Sequence, residues 1–237
     1  TFRWNNVCIT DSVIFVAGDN GCIYRTIDLG ITWQRFPVAS TVHFTSIAML
    51  HRNDGFAVGS AGTMWRFNGS RWIRVNLPTN VTLHSVFVSG HICYAVGERG
   101  MMFRWSGTTW VSIISNTTVN LNDVSFYDNS FGLIVGDGGC VLRTVDGGRT
   151  WLRMNLGFSV HINALNIVSR ELIFAVGNGG LLLRSINGGT TWTIIRISSE
   201  DLTGISFRAG IGWIAGASGR LYAFSSDNFD ESGYHFS

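Results

Sequence analysis

Short apolar runs alternate with polar turns along the whole chain, and the same order of runs returns about every 40 residues. Each repeat opens with apolar residues at alternate positions and continues with an unbroken apolar run that ends in glycine. A Gly-x-x-Gly step then leads into a second apolar run, for example at residues 22–25. Alternation is typical of a strand with one buried face, and short unbroken runs are typical of strands covered on both faces. The leading glycines of the six steps lie 38 to 41 residues apart: Gly18, Gly59, Gly97, Gly136, Gly177 and Gly216.

Each repeat is interpreted as four short antiparallel strands, and the Gly-x-x-Gly step as the tight turn between the second and third strands. In five repeats the fourth strand is predicted to begin at a tryptophan. Six such units with both faces covered predict an all-β fold, a six-bladed β-propeller with one four-stranded blade per repeat. We expect one domain over residues 1–237. The predicted repeats cover approximately residues 1–40, 41–79, 80–117, 118–158, 159–198 and 199–237, and the last strand is placed near residues 234–236.

Composition and charge limit the classes of function that we expect for this chain. Only 14% of the residues are charged, the net charge is +2 and no basic cluster stands out, so electrostatics does not indicate a nucleic-acid partner. No apolar stretch approaches the roughly 18 residues of a membrane helix, so we do not expect the chain to span a membrane. The four cysteines form no C-x-x-C pair, and three disulfide pairings are open. We expect no metal and no cofactor. The compartment is left open, with a non-cytosolic one (lumenal, periplasmic, secreted or virion) favoured.

The turn before the fourth strand carries a specific motif in three repeats. Residues 26–33 and 144–151 follow S/T-x-D-x-G-x-T-W, and residues 185–192 follow it with asparagine for aspartate. The acidic or amide side chain can accept backbone N–H bonds within its own turn, and the tryptophan can fill space between sheets. This motif is the Asp-box of BNR-repeat propellers. Its predicted structural residues are Asp28, Trp33, Asp146, Trp151, Asn187 and Trp192.

With the apolar Gly-x-x-Gly hairpins and an arginine before each box, the chain resembles the photosystem II stability/assembly factor family over essentially its whole length. Repeats two and three depart from the pattern because their turns are two residues shorter and lack the box. The resemblance implies a propeller that binds a client protein through an arginine-rich surface. Sialidases, lectin-like propellers and phage proteins also carry the Asp-box, so the motif specifies the fold better than the function.

An arginine recurs seven residues after the leading glycine in five repeats, and all 17 basic residues of the chain are arginines. One interpretation is purely structural, with each guanidinium stacked on an aromatic ring and bonded to a neighbouring turn. The other is a ring of basic groups for an acidic partner segment, which is the role that the family resemblance implies. The predicted partner-binding residues are Arg25, Arg66, Arg104, Arg143 and Arg184.

Polar residues that differ from repeat to repeat lie at the start of the first strand of each unit. In a propeller these positions would surround the mouth of the central channel, where an asymmetric ligand could bind. The alternative is simple solvation of the channel. The residues predicted for this site are His43, His84, Asn122, Asp123, His161, Asn163 and Asp201.

These patterns predict a non-enzymatic protein-binding scaffold, either assembly-factor-like or a structural subunit of a larger complex. The alternative is a glycan-binding propeller, in a secreted lectin or a phage tail or virion protein. Exposed tryptophans beside the arginines would favour that alternative. Sialidase-like hydrolysis is less favoured, since sialidases need three arginines, a Tyr–Glu pair and an acidic residue, whereas Tyr24 and Tyr222 occupy core positions here. No catalytic residue is predicted.

Overall fold

The computed structural model describes residues 3–38 and 42–225. Its strands form six antiparallel sheets in chain order, called blades one to six below, and within each sheet every strand pairs with the next along the chain. Five blades have four strands, and three strands of blade six lie within the described residues. The predicted fold class, a six-bladed β-propeller, is confirmed. The strand predicted near residues 234–236 lies outside the described residues.

The chain divides into two compact units, residues 1–121 and 122–237, and the single-domain organisation stays a prediction. The first unit holds blades one to three. Its strands are β1 (Trp4–Thr10), β2 (Val13–Gly18), β3 (Cys22–Thr26), β4 (Gln34–Pro37), β5 (Phe44–His51), β6 (Asp54–Gly59), β7 (Met64–Phe67), β8 (Trp72–Val75), β9 (Leu83–Ser89), β10 (Ile92–Gly97), β11 (Met102–Trp105) and β12 (Trp110–Ser112).

The second unit holds blades four to six, apart from Leu121, the first strand residue of blade four, which belongs to the first unit. Its strands are β13 (Leu121–Phe126), β14 (Gly132–Gly136), β15 (Val141–Thr144), β16 (Leu152–Met154), β17 (Ile162–Ile167), β18 (Ile173–Gly177), β19 (Leu181–Ser185), β20 (Thr193–Arg196), β21 (Leu202–Arg208), β22 (Ile211–Gly216) and β23 (Leu221–Ser225). Single 3₁₀ turns occupy three of the Gly-x-x-Gly steps: Glu98–Gly100, Asp137–Gly139 and Asn178–Gly180.

The second glycine of the step is required by the backbone, as blade five illustrates. Gly180 has a φ of +73°, a conformation that side chains disfavour. A Cβ at this position would also collide with the backbone carbonyl of Ser198. The turn is therefore closed against the segment that follows the fourth strand, and glycine permits that approach.

The hydrophobic core lies between successive blades. In the first unit, Phe15 and Ile23 of blade one are fully buried in one cluster with Phe44 and Ile47 of blade two. The second unit repeats the arrangement, since Leu182 of blade five lies in one buried cluster with residues of blade six. Consecutive residues of a strand point to opposite faces, so the unbroken apolar runs serve two interfaces at once.

Blade six has one apolar face that is open to solvent. Ile211, Trp213 and Leu221 are 52%, 53% and 63% exposed. In the other five blades the position three residues before the leading glycine, held here by Trp213, is at most 3% exposed. The repeat thus places interface-type apolar residues on an exposed face of blade six.

None of the four cysteines is in a disulfide, so none of the three pairings is formed. Burial raises the pKa of Cys93 to about 11, with the nearby Asp54 carboxylate adding to the effect. Among the described residues, no helix has the length and apolarity needed to span a membrane.

Candidate functional site

The Asp-boxes are closed hydrogen-bonded turns. In blade four, Asp146 accepts bonds from the Thr150 backbone N–H at 3.0 Å and from its hydroxyl at 2.6 Å. The Thr144 hydroxyl donates to the same carboxylate at 2.8 Å and accepts the Gly148 N–H at 2.8 Å. The Thr150 and Thr144 bonds stabilise the charged form and lower the pKa of Asp146 to about 2.

The other two boxes have the same geometry. In blade one, bonds from Thr26 and Thr32 lower the pKa of Asp28 to about 2. In blade five, Asn187 Oδ1 accepts the Thr191 N–H at 2.9 Å, so an amide can replace the carboxylate as acceptor. In blades one and five the box tryptophan is held by its indole N–H: Trp33 donates to Gly30 O and Trp192 to Gly189 O, both at 3.1 Å. These contacts describe a structural motif.

Two of the predicted partner-binding arginines, Arg25 and Arg143, are engaged within the protein. Arg25 donates to Gln34 Oε1 at 2.7 Å and lies 5.3 Å from the centre of the Phe36 ring. Arg143 lies 5.3 Å from the Phe131 ring and donates from Nε to Gly188 O, in the box turn of the next blade, at 2.8 Å. The guanidinium groups therefore pack and crosslink, as the structural interpretation expects.

The remaining arginines of the series differ in their contacts. Arg66 forms a bidentate pair with Asp54, with both N–O distances at 2.9 Å. Arg104 has a buried Nε with no acceptor among the described residues. Arg184 pairs in register with Phe174 and Thr193 at the end of β19. Partner binding by the five residues stays a prediction.

Several predicted channel-mouth residues lie at β-bulges in the first strand of their blades. A bulge leaves one residue out of the strand pairing and re-aims its side chain. In blades three and five the residues left out are His84 and Asn163. Asn163 Nδ2 donates to Leu202 O of the next blade at 2.8 Å, and His84 Nδ1 lies 3.1 Å from Leu121 O. These side chains tie consecutive strands together.

Asn122 makes the same tie in blade four, where its Nδ2 donates to Ile162 O at 2.9 Å. Asp123 Oδ2 accepts the Leu165 N–H at 2.9 Å, and Asp201 Oδ1 accepts the Gly179 N–H at 2.8 Å. The sequence did not reveal these bonds, although each joins residues about one repeat or half a repeat apart.

His43 and His161 pair with hairpin aspartates of the preceding blades. His43 Nδ1 lies 3.2 Å from Asp19, and His161 Nδ1 lies 2.9 Å from Asp137. The hydrogen bond from Asn5, followed by the His43 contact, lowers the pKa of Asp19. Within residues 3–38 and 42–225, no three His, Cys, Asp or Glu side chains converge as metal ligands would.

Exposure of the tryptophans separates the binding hypotheses. Trp33 is 43% exposed, whereas Trp72 and Trp110 are 7% and 8% exposed, and Trp151 and Trp192 are partly buried. A sugar-binding platform needs an open aromatic face. The structure thus offers little of the repeated Trp–Arg surface that the glycan-binding alternative requires.

Tyr222 and Glu200 form a contact that the sequence did not suggest. The Tyr222 hydroxyl donates to Glu200 Oε1 at 2.9 Å, and the same carboxylate accepts bonds from Ser218 and lies 3.7 Å from Arg220. The Ser218 bonds, foremost, lower the pKa of Glu200 and favour its charged form. A sialidase site needs three arginines that bind the carboxylate of the substrate. Among the described residues, one arginine, Arg220, pairs with the Glu200 carboxylate.

The comparisons with known proteins agree with the motif. The family model for the photosynthesis system II assembly factor YCF48 matches residues 104–206. The solved structure "YCF48 bound to D1 peptide" has a TM-score of 0.73 and 19% identity, and the match covers 94% of this chain and 76% of that chain. YCF48 from Cyanidioschyzon merolae has a TM-score of 0.76 and 20% identity, with 96% and 81% covered.

The chain is an Asp-box β-propeller that resembles the photosystem II assembly factors. The fold is also that of WD40 propellers: the RRP9 WD40 repeats have a TM-score of 0.82 at 10% identity and cover all of this chain and 80% of that chain. No curated protein matches the sequence significantly. The assembly-factor-like character predicted from the boxes and hairpins is therefore supported by the family model, and the solved structures share the fold.

Proposed function

We propose that this propeller is a non-catalytic protein-binding scaffold of the assembly-factor kind. The observation that carries the proposal is the family match over residues 104–206, a segment that runs from β11 through β21 and includes two Asp-boxes. One solved structure of similar fold is described as bound to a peptide, which fits a scaffold that holds a protein segment. The connections between strands are short, whereas enzymes on this kind of scaffold usually build pockets from long loops.

Protein binding and glycan binding can be separated in one experiment. The fluorescently labelled protein is applied to a peptide array derived from the proteome of its source and to a glycan array. The proposal expects retained binding to a subset of peptides and none to glycans. Binding confined to glycans would overturn it.

The predicted arginines can be tested one at a time as Arg→Gln variants. An arginine that contacts the partner should weaken peptide binding while the unfolding midpoint stays unchanged. An arginine that serves packing should lower the midpoint, as we expect for Arg143 because of its bond to Gly188 O. Comparing the change in peptide binding with the change in unfolding midpoint therefore assigns each of the five arginines either to partner binding or to packing.

Hydrolysis is tested through the Tyr222–Glu200 pair. A fluorogenic sialoside is incubated at high protein concentration with the wild type and with Tyr222→Phe, which keeps the ring and removes the hydroxyl. The proposal expects no turnover by either protein. Turnover by the wild type that is lost in Tyr222→Phe would make this chain a glycosidase and would refute the scaffold function.

A further inference from the structure

Blades two and three differ from the box-containing blades at one defined place. Their turns before the fourth strand, residues 68–71 and 106–109, are two residues shorter than an Asp-box. The hydroxyl residue that opens each box is replaced by Phe67 in blade two and by Trp105 in blade three. The shorter turns remove polar backbone, Phe67 is fully buried in the core, and Trp105 is left partly exposed.

A double cleft lies where the box would be. Its two parts have volumes of about 680 and 560 Å³ and share Asp54, Arg66 and Trp105 in their walls. Each part is large enough for a short peptide segment, since ligand clefts commonly measure about 300–1,000 Å³. All of its walls belong to the first unit.

Blades four and five show what the missing turn does. There the box turn of blade five reaches the preceding blade, where Gly188 O accepts a hydrogen bond from Arg143 Nε at 2.8 Å. The corresponding Arg66 of blade two has no box turn to meet. It pairs with Asp54 of its own blade and lies 5.3 Å from the Trp105 ring, in the wall of the open cleft.

The fourth-strand tryptophan of blade three also carries a buried donor that no described residue satisfies. Trp33 and Trp192 donate their indole N–H groups to a box glycine carbonyl. Trp110 lines the cleft and is 8% exposed, and its Nε1 has no acceptor among the described residues. A buried donor without an acceptor is costly, and a carbonyl from an occupant can supply what the box glycine supplies in blades one and five.

The charge of the cleft favours an acidic occupant. Three arginines and one carboxylate line its two parts, and Arg66 is neutralised by Asp54. Arg74, exposed on β8, and Arg104, on β11, are left to pair with an occupant's carboxylates. Asn53, Asn68 and Thr109 add hydrogen-bonding groups beside the aromatic wall.

We propose that the double cleft between blades two and three binds an acidic, extended peptide segment of a partner protein. This inference rests on the proposed protein-binding function and assigns that function a place and a ligand chemistry. Carboxylates of the segment pair with Arg74 and Arg104, its apolar side chains pack on Trp105, and a backbone carbonyl accepts the Trp110 N–H. Blades two and three lack the box turn that fills the corresponding space in other blades. The absence of this turn therefore leaves the cleft open as a binding site.

The test uses a fluorescein-labelled peptide of six Asp–Ala pairs, with a peptide of six Asn–Ala pairs for comparison. Binding is followed by fluorescence anisotropy with the whole chain. The matched variants are Arg74→Glu and Arg35→Glu, which make the same charge change at the same repeat position, since both arginines pair with the residue six places after the leading glycine. Only Arg74 lines the cleft. Thr108→Trp adds bulk at the cleft without changing the charge.

The proposal expects the acidic peptide alone to bind. Arg74→Glu should weaken binding about tenfold or more, because it places a like charge opposite the carboxylates, and Arg35→Glu should leave it within about twofold. Thr108→Trp should also weaken binding. Equal losses in the two arginine variants would mean unspecific attraction and would overturn the proposal, as would displacement of the peptide by sialyllactose. If Arg74→Glu leaves binding to the peptide array unchanged, the cleft is not the binding site. The proposed scaffold function would not be affected by that result.

Discussion

Two leucines in neighbouring blades allow a sharp test of how the blades are stabilised. Leu182 of blade five and Leu221 of blade six both lie five residues after the leading glycine, and each pairs with the residue just before that glycine. Leu182 is fully buried in the cluster between blades five and six, whereas Leu221 is 63% exposed. The same substitution, leucine to alanine, therefore removes the same atoms from two different environments.

The expected losses in the free energy of unfolding follow from how deeply each leucine is buried. Leu182→Ala removes three carbon atoms from water-free surroundings at about 0.8 kcal/mol each, and the remaining cavity brings the total to about 3 kcal/mol. Leu221 keeps about a third of its surface covered, so Leu221→Ala should cost about 1 kcal/mol or less. Urea unfolding followed by far-ultraviolet circular dichroism measures both values against the wild type.

A difference of about 2 kcal/mol between the variants is the expected result. If Leu221→Ala costs as much as Leu182→Ala, the open face of blade six is covered in solution. The exposure seen at Ile211, Trp213 and Leu221 would then not describe the protein in solution. A concentration dependence of the midpoint would identify self-association as the cause.

Three further predictions concern the boxes, the hairpins and the thiols. Because the pKa of Asp146 is held near 2, below its usual 3.8, its box should stabilise the protein fully above about pH 4 and lose this effect as the pH falls towards 2. Asp146→Asn should flatten this part of a plot of unfolding midpoint against pH. Gly180→Ala should lower the thermal midpoint more than Gly219→Ala, since both glycines have positive φ but only Gly180 faces a backbone carbonyl at contact distance. Cys93, with its pKa near 11, should react with a thiol reagent at pH 8 only after unfolding.

The fold could be predicted from the sequence because the same pattern of apolar runs and glycine steps occurs six times. The apolar runs and the glycine steps specify strand order locally, and the blades that they predict are present. The bulges could not be predicted in this way. His84 and Asn163 look like solvent-facing polar residues in the sequence, but the bulge turns each towards a carbonyl of the next blade's first strand.

The double cleft was missed for a related reason. The short turns of repeats two and three were visible as departures from the box, but a missing motif does not tell what occupies the space. That required the Arg66–Asp54 pair and the position of Trp105, which depend on contacts between residues in different strands. A comparison of box-containing and box-less repeats at equivalent positions would have pointed to the same place.

The central claim, that the chain is a scaffold for proteins, is tested most directly by native mass spectrometry. The untagged protein is purified gently from its source, and its intact mass is measured before and after dissociation. The account predicts an assembly heavier than the free chain that releases one or more proteins in stoichiometric amounts. A free chain, or one that carries only glycan, would contradict it.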